Sequence, residues 1–149
     1  MKIRKLKSSE IKIVADIIRL NYNQYTSSLA LPELAAMFGS KMFSPNYLVA
    51  EEQCKIVGLA GYIQDWIDYN VYGIFWVNVA PAHQRQGIGK LLIKKTIQTL
   101  KKKGGQLIIL TTRKPKFYRQ FDFKSVLAFR STGKVSRGKI THFMVLRLK

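Results

Sequence analysis

The stretch VNVAPAHQRQGIGKLLIKK, Val77 to Lys95, has the residue spacing best suited to chemistry. A β-favouring run stops at Pro81, a polar turn follows, and Gly87 and Gly89 stand where helical periodicity begins. Glycine is a poor helix former, so two of them at a helix entrance point to a backbone that must stay bare. A strand feeding a helix through such a loop aims several free N–H groups and the positive end of the helix dipole at one point, and such a nest binds phosphate. Arg85 and Lys90 add charge beside it. The spacing Gln84-x-x-Gly87-x-Gly89 has neither the Lys-Ser/Thr of a nucleotide P-loop nor the third glycine of a dinucleotide fingerprint, so both of those readings fall away.

Other reactive residues are sparse. Cys54 is the only cysteine, which rules out an internal disulfide and a cysteine-based metal cluster, and no metal is expected. It lies in a hairpin connection and reads as an incidental thiol. His83 sits in the loop before the glycines, and His142 lies inside a predicted strand and reads as structural.

The elements that must position the glycine loop follow from periodicity. KIRKLK is a short first strand, and Ser8 or Ser9 can cap the helix after it, with Glu10 in its first turn and Ile11, Val14, Ile17 and Ile18 on one face. NYNQYTSSLA reads as a polar connector, and Pro32 as the first residue of a second short helix that ends at Gly39. YLVAEE and IVGLAGYIQDW form a hairpin, and VYGIFWVNVA is a third β run stopped by Pro81. A helix to about Lys103 follows, with Ile93, Ile97 and Leu100 inward, three lysines in its last turn and Gly104 to close it. QLIIL, the short helix PKFYRQF, and the strands KSVLAFR and KITHFMVLRL complete the chain. The order β-α-α-β-β-β-α-β-α-β-β predicts an α/β fold with a mixed sheet, organised as a single domain over residues 1–149, with a parallel crossover between Val71 and Leu110.

At 149 residues the chain can bury roughly 70% of the surface that its unfolded form exposes. Its longest apolar runs are too short to span a bilayer, and its N-terminus lacks the features of a secretory signal, so a cytoplasmic location away from membranes is expected. The net charge of +18 is concentrated late: from Lys101 to Lys149 there are 14 basic residues and one acid, Asp122. Such a field attracts anions, and weak non-specific attraction for nucleic acid is expected of it.

Taken together, these motifs resemble the GNAT family of N-acetyltransferases. The Q-x-x-G-x-G loop after VNVAP and before KLLIKK looks like that family's acyl-CoA-binding motif, and FYRQFDF is similar to its FY…GF ending. The element order matches the family over nearly the whole chain. The resemblance implies the acyl-CoA N-acyltransferase type of sheet and acetyl-CoA as co-substrate, bound in the cleft where the strands around Val71–Val79 and Gln106–Leu110 diverge. It implies that Val77 and Val79 offer backbone groups to the pantetheine arm and that the Val77 N–H polarises the thioester carbonyl. It further implies that Arg85, Gln86, Gly87, Ile88, Gly89 and Lys90 surround the diphosphate, and that Tyr118 is the general acid for the departing thiolate.

Three departures stand out. The strand VYGIFWVNV has no carboxylate where many relatives carry one, so the base is open among Glu51, Glu52, Asp65, Asp68, His83 and a water relay; each carboxylate by itself reads as surface. Asp122 replaces the usual glycine, though aspartate tolerates the left-handed conformation better than most residues. Thr111 and Thr112 stand in place of a common asparagine, which weakens the expected hold on pantetheine. The aromatics Tyr22, Tyr25, Trp66, Tyr69, Tyr72 and Trp76 read mostly as core, with Tyr22 and Tyr25 in the connector that roofs the acceptor site in relatives.

The expected activity is N-acetyl transfer from acetyl-CoA to a primary amine by direct attack. A basic protein favours an amine embedded in an anionic molecule or protein. Two other readings compete: a basic RNA- or ribosome-binding module, with Phe117, Tyr118, Phe121 and Phe123 among the cations, and a non-catalytic acyl-CoA-binding regulator. The protein is expected as a monomer or homodimer.

Overall fold

In the computed structural model, which describes residues 1–39 and 43–149, strands and helices follow the expected order. They are β1 Lys2–Lys5, α1 Ile11–Asn21, α2 Gln24–Gly39, β2 Asn46–Glu52, β3 Lys55–Gln64 and β4 Val71–Val79, then α3 Ile88–Lys102, β5 Leu107–Thr112, α4 Pro115–Arg119, β6 Lys124–Arg130 and β7 Ile140–Arg147. The strands form one seven-stranded sheet in the order β1-β2-β3-β4-β5-β7-β6. All pairings are antiparallel except β4 with β5, whose crossover is α3.

Side chains alternate across the sheet, so both faces need cover. Leu48, Ala50, Val57, Tyr62 and Ile108 pack with Leu92, Ile93 and Leu100 of α3 and with Tyr118, Phe121 and Phe123. Tyr47, Val49 and Leu59 point the other way, onto Val14, Ile17 and Ile18 of α1 and Ala30 and Leu34 of α2. Asp122 holds φ 69°, the left-handed turn expected of it, and Phe123 behind it is 2% exposed. No helix among the described residues is long and apolar enough to cross a membrane.

Three local expectations are corrected. Helix α2 begins eight residues before Pro32, which lies inside it. Asn23 starts it, accepting the Thr26 N–H on its side chain at 2.8 Å and the Ser27 N–H on its carbonyl at 3.1 Å. Ser27 then bonds the Ala15 carbonyl, and Thr26, Ser27, Ala30 and Leu34 are buried, so packing against α1 outweighs the hydrogen bond that proline removes. Ser8 and Ser9 do not cap α1: they form a 3₁₀ turn in which the Glu10 carboxylate accepts the Lys7 N–H at 2.9 Å. Finally, Tyr22, Tyr25, Trp66 and Tyr69 are exposed rather than core.

Glu10 also belongs to a charged knot that ties β1 and β2 to this turn. Arg4 donates to both Glu10 oxygens at 2.7 and 2.9 Å and to Glu51 at 2.5 and 2.8 Å, with all three side chains largely sheltered. Hydrogen bonds from Arg4 hold the Glu10 carboxyl below the usual range. A depressed folded value stabilises above the pH where unfolded glutamate titrates, about 4.3, and the gain is lost as pH falls through the folded value. Arg4→Met should therefore cost about 1.5–3 kcal/mol near neutral pH, since it leaves two adjacent carboxylates without their donor. The gap from wild type should narrow in thermal melts taken at progressively lower pH.

Candidate active site

The cleft arises from how β4 and β5 part. They pair only at Val71–Leu107, Tyr72–Ile108 and Gly73–Ile109. Beyond Ile74, β5 runs on with β7 as far as Thr112–His142 while β4 stays with β3. The register of β3 and β4 slips between Leu59–Asn78 and Gly61–Phe75, and Trp76 in the slip has φ 47°. This is a bulge, one extra residue that bends and twists its strand. The two strands thus splay around a cavity of about 860 Å³.

The glycine loop closes one end of this cavity. Gly87 is the N-cap of α3 at φ 82°, and a side chain built there meets nothing within 4 Å, so it is the backbone conformation that requires glycine. Gly89 answers to packing: a Cβ on it would lie 3.3 Å from the Phe117 ring, which holds α4 against the start of α3. Arg85 adopts φ 63° beside them. Arg85, Gly87, Ile88, Gly89 and Lys90 all line the cavity, as do Val77 and Val79. Gln86 does not; its amide donates to the Ala82 carbonyl at 3.3 Å.

The loop is anchored by a network that sequence reasoning missed. Gln84 Nε2 donates to Asn21 Oδ1 at 2.7 Å and to the Val79 carbonyl at 3.1 Å, and Asn21 Nδ2 donates to that same carbonyl at 2.9 Å. Asn21 also reaches Asn78 Oδ1 at 3.2 Å. The Val79 carbonyl is thus already held by the protein, which restricts what this residue can offer an arm in the cleft. Asn21 ends α1, 58 residues from Val79, and no local pattern marks it.

Tyr118 stands on the cavity wall, 9% exposed, with Phe117 and Phe123 edge-on to it. Burial, and to a lesser degree nearby Tyr22, pushes its phenol well above the usual tyrosine range. The hydroxyl therefore remains a proton donor at any physiological pH. Tyr22 and Trp76 also line the cavity, edge to face at 6.4 Å, and Arg113 lies over the Tyr22 ring at 6.0 Å. Thr111 and Thr112 line the β5 side.

No carboxylate among the described residues lines the cavity. Glu51 is bound to Arg4, Asp65 accepts the Ile67 N–H and Asp68 the Asn70 N–H. His83 does line the cavity, with Nδ1 3.4 Å from Glu52. Glu33 of α2, unmarked in the sequence, accepts a hydrogen bond from Trp76 Nε1 behind the wall. Cys54 is exposed in the β2–β3 turn, and His142 Nδ1 lies 3.1 Å from Ser125 Oγ.

A mixed sheet split open beside the N-terminus of its crossover helix, with an aromatic helix packed against that terminus and lining the same cavity, is the architecture of an acyl-CoA N-acyltransferase. The model of the acetyltransferase (GNAT) family matches residues 14–123. Among solved structures, the fold is similar to that of a GNAT-family protein from Desulfovibrio desulfuricans, at TM-score 0.85 and 18% identity over 98% of both chains. It is also similar to an aminoglycoside 6'-N-acetyltransferase complexed with coenzyme A, at TM-score 0.81 and 16% identity over 99% of this chain and 97% of that one. A third similar structure is the ribosomal-protein-S18-alanine N-acetyltransferase of Escherichia coli, at TM-score 0.79 and 17% identity over 99% and 94%. No curated protein matches the chain.

The chain belongs to the GNAT acetyltransferase family. It is an acetyl-CoA-dependent N-acetyltransferase, and acetyl-CoA is its co-substrate.

Proposed function

We propose that the enzyme moves the acetyl group onto a primary amine by direct attack, and that the acceptor belongs to an anionic molecule or protein. The observation that carries this reading is Tyr118, a phenol kept protonated by burial on the wall of the same cavity that the α3 N-terminus closes. The backbone of residues 85–90 and the Arg85 and Lys90 side chains hold the diphosphate, and Val77 and Val79 align the pantetheine arm along the splayed edge of β4. The Val77 N–H polarises the thioester carbonyl. The neutral amine attacks that carbon, the C–N bond forms, and the C–S bond breaks. Tyr118 gives its proton to the departing thiolate, and the nitrogen releases one to water. Holding both reactants in one cleft makes the attack effectively intramolecular.

Enzymes named for an aminoglycoside and for a ribosomal-protein alanine share this fold, so the lining of the cavity, not the fold, selects the acceptor. Among the described residues that lining includes Arg85, Lys90, Arg113 and Lys114 and no carboxylate, which disfavours polyamines and favours anionic acceptors. The test is single-turnover transfer from labelled acetyl-CoA to a panel of polycationic, neutral and anionic amines. Turnover confined to polyamines would overturn the anionic acceptor, and acetyl-CoA binding without transfer to any amine would favour a regulator.

The cations of the last third are read as a dispersed field. RNA binding should be weak, indifferent to sequence and gone near physiological salt, whereas CoA, with few phosphates in a local nest, should stay bound. Separate titrations of labelled RNA and CoA across a salt series check this. Tight, selective RNA binding at physiological ionic strength would reverse the ranking.

A further inference from the structure

The cavity has charge at two places, and only one is spoken for. Arg85 and Lys90 flank the α3 N-terminus, where a diphosphate belongs. Arg113 lies on the β5 side, exposed, its guanidinium carbon over the Tyr22 ring. None of the ion pairs among the described residues involves it. Tyr22 spans from Arg113 to Trp76 at the bulge, and it is near enough to Tyr118 to act on that phenol electrostatically. Arg113 is therefore a cation positioned over Tyr22, with no ion pair among the described residues, in the cavity that Tyr118 also lines.

A guanidinium held over an aromatic ring at cation–π distance is partly pre-ordered, and its planar fork suits a carboxylate or a phosphate. An incoming ammonium meets the opposite situation, since Arg113 and Lys114 repel it and no lining carboxylate receives it. An amine with an anionic group close by gains a partner in Arg113. The neighbouring charge also has a chemical use, because attack requires the amine in its neutral form and a local cation favours loss of the ammonium proton. Resting on the function proposed above, we propose that Arg113 is the specificity-determining residue of the acceptor site, and that the acceptor is a small amine carrying a carboxylate or phosphate near its nitrogen.

The test uses matched acceptors: β-alanine against propylamine for the carboxylate, and O-phosphoethanolamine against ethanolamine for the phosphate. The wild-type protein should prefer the anionic member of at least one pair by about 10–100-fold in kcat/KM, mainly through KM, and the pair that shows it names the anion. Arg113→Ala should abolish the preference, Arg113→Lys should keep part of it, and CoA affinity should be the same in all three proteins. In parallel, N-acetyl-β-alanine and N-propylacetamide are titrated into the CoA-saturated protein. An Arg113-dependent preference in that titration without turnover on any amine would support the anion subsite while removing the active amine transferase. Equal use and equal binding of charged and neutral members overturn the proposal. So does a preference that survives Arg113→Ala, or a loss of CoA affinity in that variant, which would assign Arg113 to the donor.

Discussion

Tyr118→Phe should lower single-turnover acetyl transfer by about 10²–10⁴-fold while acetyl-CoA affinity stays nearly constant. The substitution removes one oxygen and keeps the ring, whose edge-to-face contacts with Phe117 and Phe123 hold α4 in the core. A thiolate leaving without a proton donor is the step that slows. Because burial raises the phenol far above neutrality, the wild-type rate should show no alkaline fall from Tyr118 up to about pH 10, the ordinary tyrosine value. Its acidic fall should follow the acceptor amine, which must be neutral to attack. Stopped-flow transfer across pH, with the acceptor that a screen provides, measures both. Wild-type turnover in a folded Tyr118→Phe protein would sink the assignment and move the proton to water.

Gly87→Val should weaken CoA binding by about 100-fold, the equivalent of one strong charge-assisted hydrogen bond. At φ 82° a β-branched residue is strained by about 1–3 kcal/mol, so the loop shifts and its N–H groups no longer converge. The space around the glycine is open, so no clash with the core adds to this, and the melting temperature should fall only modestly. Gly87→Ala should lie between valine and wild type in affinity, and it provides the measurement if the valine protein does not fold. Calorimetric titration with CoA reads both variants. Undiminished affinity in either folded protein would move the diphosphate away from this loop.

Element order and the glycine loop were readable from the chain because both rest on neighbouring residues. Alternation reports strands, a 3.6-residue period reports α3, and a glycine N-cap or an aspartate in a left-handed turn is a property of the backbone at that position. Tyr118 was singled out the same way, through the short FYRQFDF motif, and the fold places it on the cavity wall. What folding alone decided involves partners far apart in sequence. The bulge at Trp76 exists because β3 and β4 slip in register, and the cleft because β4 parts from β5 after three residue pairs while β5 stays paired to β7 on its other edge. Gly89 is small for the sake of Phe117, Asn21 reaches Gln84 only because α1 ends beside β4, and α2 runs through Pro32 because its buried face packs on α1. Arg113 becomes a candidate specificity residue only when Tyr22, 91 positions earlier, lies beneath it. A local pattern sets backbone preference, but which side chains meet across a cavity depends on how the sheet is paired, and that pairing is settled by the packing of the whole chain.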